Sequence, residues 1–285
     1  MKCPRHMTLE LTAKCNFRCP YCYCVWHEHP ELAGPALDAG GWKAVIDKCA
    51  ADGTDDLLFT GGEALLREDV LEIAEHARRA MPEARLSLFT NASRLDEALL
   101  KWFKRHRIHL ATSLQGLATY GAMTGTRRSC SRLLAVVAKA SELEWPLAVS
   151  MTVTKANMHE AADMFAAAAL SGAKTIQAGP VILGGRAMAR QDLTVSRDEW
   201  EEVKRRIRAL PDAHVPYSFC DEFICSCRAD TPKPLLDKWA DRDRKPCPAG
   251  KAFGVIGPNG LYRTCLQSLP DVSRQGAPAA SGLRP

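Results

Sequence analysis

Long apolar segments are absent from this sequence. No stretch approaches the roughly 18–20 consecutive apolar residues that a membrane-spanning helix needs. Residues 1–7 lack the apolar core of a signal peptide. Charge of one sign is also scarce, because the net charge is +5 over 285 residues and no long basic run occurs. We therefore expect a cytoplasmic protein with no membrane partner, and we do not expect nucleic acid as its ligand.

Cysteine, by contrast, is abundant. Hydrophobic residues form 46% and charged residues 25% of the chain, which is ordinary for a packed protein and excludes disorder over most of the length. The twelve cysteines are far above the usual content, and they are clustered. Four lie between Cys15 and Cys24, and five lie between Cys220 and Cys265. In a reducing compartment such clusters favour metal-binding thiolates over disulfides.

The spacing of apolar residues alternates between periods of two and 3.6, which predicts alternating strands and helices. Strands are expected at 7–11, 55–60, 85–90, 109–114, 147–153, 174–178 and 215–219. Helices are expected at 42–51, 70–81, 95–104 and 131–143. Two more are expected after capping residues: one follows Asn157 and extends to residue 170, and one follows Ser196 at 197–210. About six strand–helix units wound in one direction give an α/β fold with a parallel sheet or partial barrel. In such folds the functional residues lie beyond the carboxyl ends of the strands.

The composition changes after residue 219, where proline, cysteine and aspartate become more frequent and the helical period fades. We divide the chain into a barrel at 1–215, a small cysteine-rich appendage at 216–270 and a tail at 271–285. The tail is rich in alanine, proline, serine and glycine, so we expect it to be disordered.

The first cysteine cluster reads KCNFRCPYCYC and places Cys15, Cys19 and Cys22 at the spacing Cys-x3-Cys-x2-Cys. A loop this short can bring three thiolates to three corners of an iron–sulfur cubane and leave the fourth iron open. The alternative is a zinc knuckle in which Cys24 supplies the fourth ligand. The nearby stretch WHEH, residues 26–29, lacks the H-E-x-x-H spacing of a metalloprotease, and we interpret it as a solvated loop.

The same loop carries an aromatic residue, Tyr21, directly before its last cysteine, and Gly61-Gly62-Glu63 follows at the end of the second strand. Together these motifs resemble the radical S-adenosylmethionine (radical SAM) superfamily, whose fold is a partial (β/α)6 barrel. The resemblance extends from Met7 to about Leu210. It implies that Cys15, Cys19 and Cys22 hold a 4Fe–4S cluster whose open iron binds S-adenosylmethionine.

The resemblance also implies the remaining cofactor contacts and an electron donor. The two glycines of the Gly-Gly-Glu motif would let the backbone approach the methionine amino group, and Glu63 would accept from it. Further cofactor-binding residues are expected at the ends of later strands, namely Asn91, Ser113, Gln115 and Thr152. Family members often carry aspartate where Gln115 stands. A flavodoxin or ferredoxin would supply the electron.

The second cysteine cluster contains Cys247 and Cys265 on either side of a predicted hairpin whose turn is PNG. This arrangement resembles the auxiliary-cluster domains called SPASM and, in shorter form, twitch. No cysteine follows Cys265, which favours the twitch form with one auxiliary 4Fe–4S cluster. The other ligands would come from Cys220, Cys225 and Cys227, so five candidates compete for four places. A structural zinc site is the alternative.

Three functions follow from these resemblances. The first is a radical SAM enzyme that abstracts hydrogen from an unactivated carbon of a ribosomal peptide, giving a cross-link, an epimer or a thioether. Only fourteen residues precede the cysteine loop, so we expect either a short peptide or a separate peptide-recognition protein. The second is a small-molecule tailoring enzyme, such as a sugar or aminocyclitol dehydrogenase. The third, from another class, is a non-catalytic iron–sulfur or zinc protein.

Overall fold

A single nine-stranded sheet organises the chain in a computed structural model that describes residues 2–211, 214–224, 233–239 and 247–269. The strands are β1 (His6–Glu10), β2 (Asp56–Thr60), β3 (Arg85–Phe89), β4 (Ile108–Ser113), β5 (Ala148–Val153), β6 (Thr175–Pro180), β7 (Tyr217–Phe219), β8 (Phe253–Ile256) and β9 (Tyr262–Arg263). The helices are α1 (Ala39–Asp52), α2 (Val70–Ala80), α3 (Glu97–Arg105), α4 (Tyr120–Thr124), α5 (Ser131–Glu142), α6 (Ala161–Leu170), α7 (Arg197–Arg208) and α8 (Lys233–Trp239).

Strands β1 to β7 lie side by side in chain order, and every neighbouring pair is parallel. The crossovers between them contain the helices, so the predicted α/β partial barrel is confirmed. None of the helices in the described ranges is both long enough and apolar enough to cross a membrane.

The two faces of the sheet differ in burial. On β2 and β3 the residues Leu57, Leu86 and Leu88 are fully buried, because they face the helical layer. The alternate residues, such as Ser87, stay partly exposed on the other face. A cavity of about 350 Å³ opens on that face toward the amino-terminal edge of the sheet, where its lining includes the first residues of five strands, His6, Asp56, Arg85, Ala148 and Thr175.

Helices α1 to α3 and α5 to α7 form where the apolar spacing predicts them, whereas α4 and α8 were not predicted. Ser196 caps α7 as predicted, in a capping box with Glu199. The expected cap at Asn157 is wrong, because its side chain makes no cap hydrogen bond and a 3-10 turn separates it from α6. The predicted glycine-rich loop after β4 contains the short helix α4, which ends at Gly125 with φ of +63°.

The carboxyl-terminal hairpin extends the sheet at its β1 edge. β8 pairs in parallel with β1, and β9 pairs antiparallel with β8. The hairpin predicted around PNG is therefore present, and it continues the sheet of the barrel. The division at residue 215 remains a prediction. Cys225, Cys227 and the tail at 271–285 lie outside the described residues.

Candidate functional site

The first cysteine loop leaves β1 at the carboxyl edge of the sheet and is joined there to the Gly-Gly-Glu turn after β2. The Gly62 amide donates to the Thr12 carbonyl at 2.7 Å, and the Glu63 amide donates to the Lys14 carbonyl at 2.8 Å. A Cβ on Gly62 would lie 2.3 Å from the Lys14 carbonyl oxygen. The glycine therefore permits a close approach to the chain that enters Cys15. Its approach to a methionine amino group remains a prediction.

Glu63 occupies the centre of this turn and is only 1% exposed. Its carboxylate accepts hydrogen bonds from the Leu65 amide at 3.1 Å, the Thr90 hydroxyl at 2.7 Å and the Asn91 amide at 2.7 Å. Burial raises its pKa, and these three donors oppose the rise. In the structure Glu63 thus ties the end of β2 to the end of β3, while its predicted contact with the cofactor remains untested.

Asn91 links the end of β3 to the cysteine loop. Its side-chain amide donates to the side-chain oxygen Oδ1 of Asn16 at 2.8 Å, and Asn16 directly follows Cys15. The side-chain nitrogen Nδ2 of Asn16 in turn donates to the Ser93 hydroxyl at 2.8 Å. The predicted site residue Asn91 is therefore placed beside the first predicted cluster ligand.

The three thiols of the loop differ in their surroundings. The Phe17 amide donates to the Cys15 sulfur at 3.4 Å. Burial raises the pKa of Cys19 to about 12, and a hydrogen bond with the phenol of Tyr21 opposes that rise. A hydrogen bond from Cys24 holds the pKa of Cys22 well below its ordinary value. No three histidine, cysteine or carboxylate side chains in the described ranges are grouped to hold a single metal ion.

The predicted residues at the ends of β4 and β5 are joined by a buried amide. Thr152 donates its backbone N–H to the Gln115 side-chain oxygen at 3.0 Å. Asn157 donates to the backbone oxygens of Gln115 at 2.8 Å and Thr152 at 2.9 Å, and it is fully buried. Asn157 therefore fixes two predicted site residues. Ser113 is half-buried and pairs in register with Ser150.

A buried cluster behind the cysteine loop was missed by the sequence reasoning. Trp26 is 2% exposed, so the interpretation of residues 26–29 as a solvated loop is wrong at this position. Its indole donates to Glu10 at 2.9 Å, and Glu10 forms an ion pair with Arg263, whose guanidinium lies 4.6 Å from the Trp26 ring. Burial raises the pKa of Glu10 against the opposing effect of Arg263. No sequence signal pairs residues so far apart.

The second group of cysteines comes from opposite ends of the sheet order. Cys247 and Cys265 bracket the β8–β9 hairpin, whereas Cys220 follows β7 and donates its amide to Ala178 at 2.8 Å. The loop after β6 joins these regions. Leu183 forms a β-bridge with Ile224. Gly184 packs so closely against Gln267 that a Cβ on the glycine would lie 2.0 Å from the Gln267 side-chain oxygen. The segments that carry Cys220 and Cys265 therefore meet through this loop.

These contacts define an α/β enzyme-like fold with a thiol loop at the carboxyl rim of an open parallel barrel. Comparison with known proteins gives the same class. The sequence pattern of the Radical SAM superfamily matches residues 9–168, which is more than half of the chain. The chain belongs to the radical SAM superfamily and is a radical SAM enzyme. Membership implies a 4Fe–4S cluster and S-adenosylmethionine as cofactors.

Among individual proteins, the PqqA peptide cyclase of Gluconobacter oxydans is 30% identical over 282 residues, covering 95% of this chain and 73% of the relative. The sporulation killing factor maturation protein SkfB of Bacillus subtilis is 27% identical, with 77% of this chain and 55% of SkfB covered. Among solved structures, Streptococcus suis SuiB superposes with a TM-score of 0.68 at 13% identity, over 93% of this chain and 60% of SuiB. The chain thus spans little more than half of SkfB and three-fifths of SuiB.

Proposed function

We propose that this enzyme uses a 5′-deoxyadenosyl radical to abstract hydrogen from an unactivated carbon of a ribosomal peptide. The observation that supports this best is the paired backbone of the cysteine loop and the Gly-Gly-Glu turn. The bonds from Gly62 and Glu63 to Thr12 and Lys14 hold the segment that enters Cys15 at the carboxyl rim of the barrel. A radical formed at that rim would arise beyond the carboxyl ends of the strands, where parallel α/β folds bind their ligands.

The residues present fit the cofactors that the superfamily implies. Three thiols within one eight-residue loop suit a cluster with one open iron, and we assign Cys15, Cys19 and Cys22 as its ligands. When bound, the cluster and S-adenosylmethionine supply the radical chemistry. The protein's part is to hold the cofactors and substrate and to exclude water. The proposed S-adenosylmethionine contacts are Tyr21, Gly61, Gly62, Glu63, Asn91, Ser113, Gln115 and Thr152.

The proposed peptide substrate is supported by two observations. Relatives are named PqqA peptide cyclase, and one SuiB structure contains its precursor peptide SuiA. On the open face of this chain, the register aligns Ser113, Ser150, Gln177 and Ser218 across four strands. Hydroxyl and amide groups in such a row are suited to the polar backbone of a peptide.

The carboxyl-terminal cysteines would hold an auxiliary 4Fe–4S cluster in a twitch-like unit. Cys220, Cys247 and Cys265 are the described candidates, and Cys225 and Cys227 lie outside the described residues. We further propose a flavodoxin or ferredoxin as electron donor, a separate peptide-recognition protein, and a cytoplasmic location. No disulfide joins the ten cysteines of the described segments, which suits a reducing compartment.

The decisive experiment is an anaerobic incubation of the iron-loaded protein with dithionite, S-adenosylmethionine and candidate short peptides, including any encoded near its gene. We expect 5′-deoxyadenosine and a peptide whose mass has changed, both measured by liquid chromatography and mass spectrometry. Turnover with sugars or aminocyclitols in place of the peptide would support the small-molecule alternative. No 5′-deoxyadenosine with any of these substrates would contradict the proposal.

A further inference from the structure

The loop after β6 packs against the cysteine loop and brings Arg186 into contact with it. Gly185 adopts φ of +53°, and a Cβ there would lie 2.6 Å from the Cys22 carbonyl oxygen. The next residue, Arg186, donates its backbone N–H to that same oxygen at 2.8 Å. Only glycine fits this approach, so the position of Arg186 relative to the cysteine loop is fixed by the backbone.

The guanidinium of Arg186 carries an unused buried donor. Its Nη1 atom has no contact with solvent and no hydrogen-bond partner within the described part of the chain. The guanidinium of Arg78, in contrast, is fully used. Arg78 donates from all three of its nitrogens to five backbone carbonyls. A buried donor without an acceptor costs free energy, so Nη1 points to an acceptor that residues 2–211, 214–224, 233–239 and 247–269 do not provide.

The chemistry of this guanidinium indicates an anionic acceptor. A guanidinium stays positively charged, and its donors pair most strongly with anions. The backbone N–H of Arg186 is bonded to the Cys22 carbonyl, so the unused donor belongs to a residue that contacts one of the three proposed cluster ligands. A cluster held by thiolates would supply anionic sulfur there.

We propose that Arg186 is a positioning residue for the amino-terminal cluster, donating from its guanidinium to the anionic sulfur shell that the cysteine loop would hold. This inference rests on the proposed function, because it requires the cluster at Cys15, Cys19 and Cys22. Hydrogen bonds to cluster sulfurs and nearby positive charge stabilise the reduced state, which carries one more negative charge. Arg186 thereby makes the cluster easier to reduce.

The test is a potentiometric titration of the reconstituted protein, followed by electron paramagnetic resonance of the amino-terminal cluster. We expect Arg186→Gln to shift the midpoint potential to a more negative value than in the wild type. Arg186→Lys keeps the charge and should fall between the two. The matched control is Arg190→Gln on the same loop, where Arg190 is exposed and paired with Asp192. It should leave the potential unchanged.

Several results separate this inference from the proposed function. An unchanged potential in Arg186→Gln overturns the inference while the function stands. Weaker S-adenosylmethionine binding with an unchanged potential also overturns it, since the guanidinium would then serve the methionine carboxylate. If Arg186→Gln takes up no cluster although its thermal unfolding is normal, the potential of Arg186→Lys decides: a value more negative than the wild type supports the inference, and a wild-type value overturns it. A wild-type protein without any cluster contradicts the proposed function instead.

Discussion

The two cysteine-rich regions of this enzyme are built in opposite ways. Cys15, Cys19 and Cys22 lie in one short loop, and hydrogen bonds to the Gly-Gly-Glu turn and to Asn91 hold that loop at the sheet rim. Cys220 and Cys265, in contrast, come from strands at opposite ends of the sheet order. The first region depends on local spacing, whereas the second depends on tertiary packing.

This difference suggests distinct tasks for the two regions. A short loop offers few donors, which suits a cluster that keeps one iron open for a ligand. A site drawn from several segments can surround its metal completely and can also stabilise the fold. The buried cluster of Glu10, Trp26 and Arg263 connects the two regions, because Arg263 also donates to the backbone before and after Gln267.

The largest effect is expected from Cys19→Ala. Losing one of three thiolates should abolish 5′-deoxyadenosine formation and remove the amino-terminal cluster, while the auxiliary cluster persists. Iron analysis and the anaerobic assay measure both. The matched control is Cys24→Ala, which should retain the cluster. A protein that loses its metal on Cys24→Ala would instead indicate the zinc knuckle.

The buried link between the regions predicts the next largest effect. Arg263→Gln leaves the Glu10 carboxylate buried without its cation, because the two side chains are 0% and 2% exposed. We expect the free energy of unfolding to fall by about 3–5 kcal/mol, measured by denaturant titration. Arg190→Gln, at an exposed pair, should change it by about 0–1 kcal/mol. Equal effects of the two variants on the free energy of unfolding would show that the buried Glu10–Arg263 pair stabilises the fold no more than an exposed pair does.

The first region can be perturbed alone through its glycines. A Cβ at Gly62 would collide with the Lys14 backbone, so Gly62→Ala should cost about 1–3 kcal/mol of stability and weaken cluster retention. Gly40→Ala is the control, because a Cβ there meets its nearest atom at 3.5 Å and the residue lies in α1. Differential scanning calorimetry and iron content distinguish the two. Normal iron content in Gly62→Ala would argue against the backbone pairing.

The smallest effect provides a reference away from both regions. Ser196 caps α7 by accepting from the Glu199 amide at 3.2 Å, while Glu199 accepts from the Ser196 amide at 2.7 Å. Ser196→Ala should reduce stability by about 1 kcal/mol in chemical denaturation. Iron content should stay at the wild-type value. A loss of iron would mean that cluster binding falls with any loss of stability. The iron content could then not distinguish the two cysteine-rich regions.

Much of the fold could be predicted from the sequence because its periodic patterns are strong. The helix predicted at 70–81 is α2, whose buried face is Val70, Ile73, Ala74 and Ala77, and the strands β1 to β7 fall within a few residues of their expected limits. The pairing of β8 with β1 was not predictable, because the register between strands some 250 residues apart leaves no local pattern.

The site was predictable only where a motif is local. The cysteine spacing and Gly-Gly-Glu can be read from the sequence, and the structure brings them together. Asn157 was expected as a helix cap, yet its amide bonds to strand ends, which no spacing rule indicates. The roles of Arg186 and Arg263 depend on contacts with residues that are distant in the chain. Their roles are visible only once packing is known.

The most direct test is the electron paramagnetic resonance spectrum of the reduced amino-terminal cluster, recorded before and after addition of S-adenosylmethionine in a protein lacking the auxiliary cluster through Cys247→Ala and Cys265→Ala. We predict that the spectrum changes when S-adenosylmethionine is added, because one iron has no protein ligand and receives the added molecule. A spectrum that is unaffected by S-adenosylmethionine, from a cluster with four side-chain ligands, would contradict our assignment of Cys15, Cys19 and Cys22.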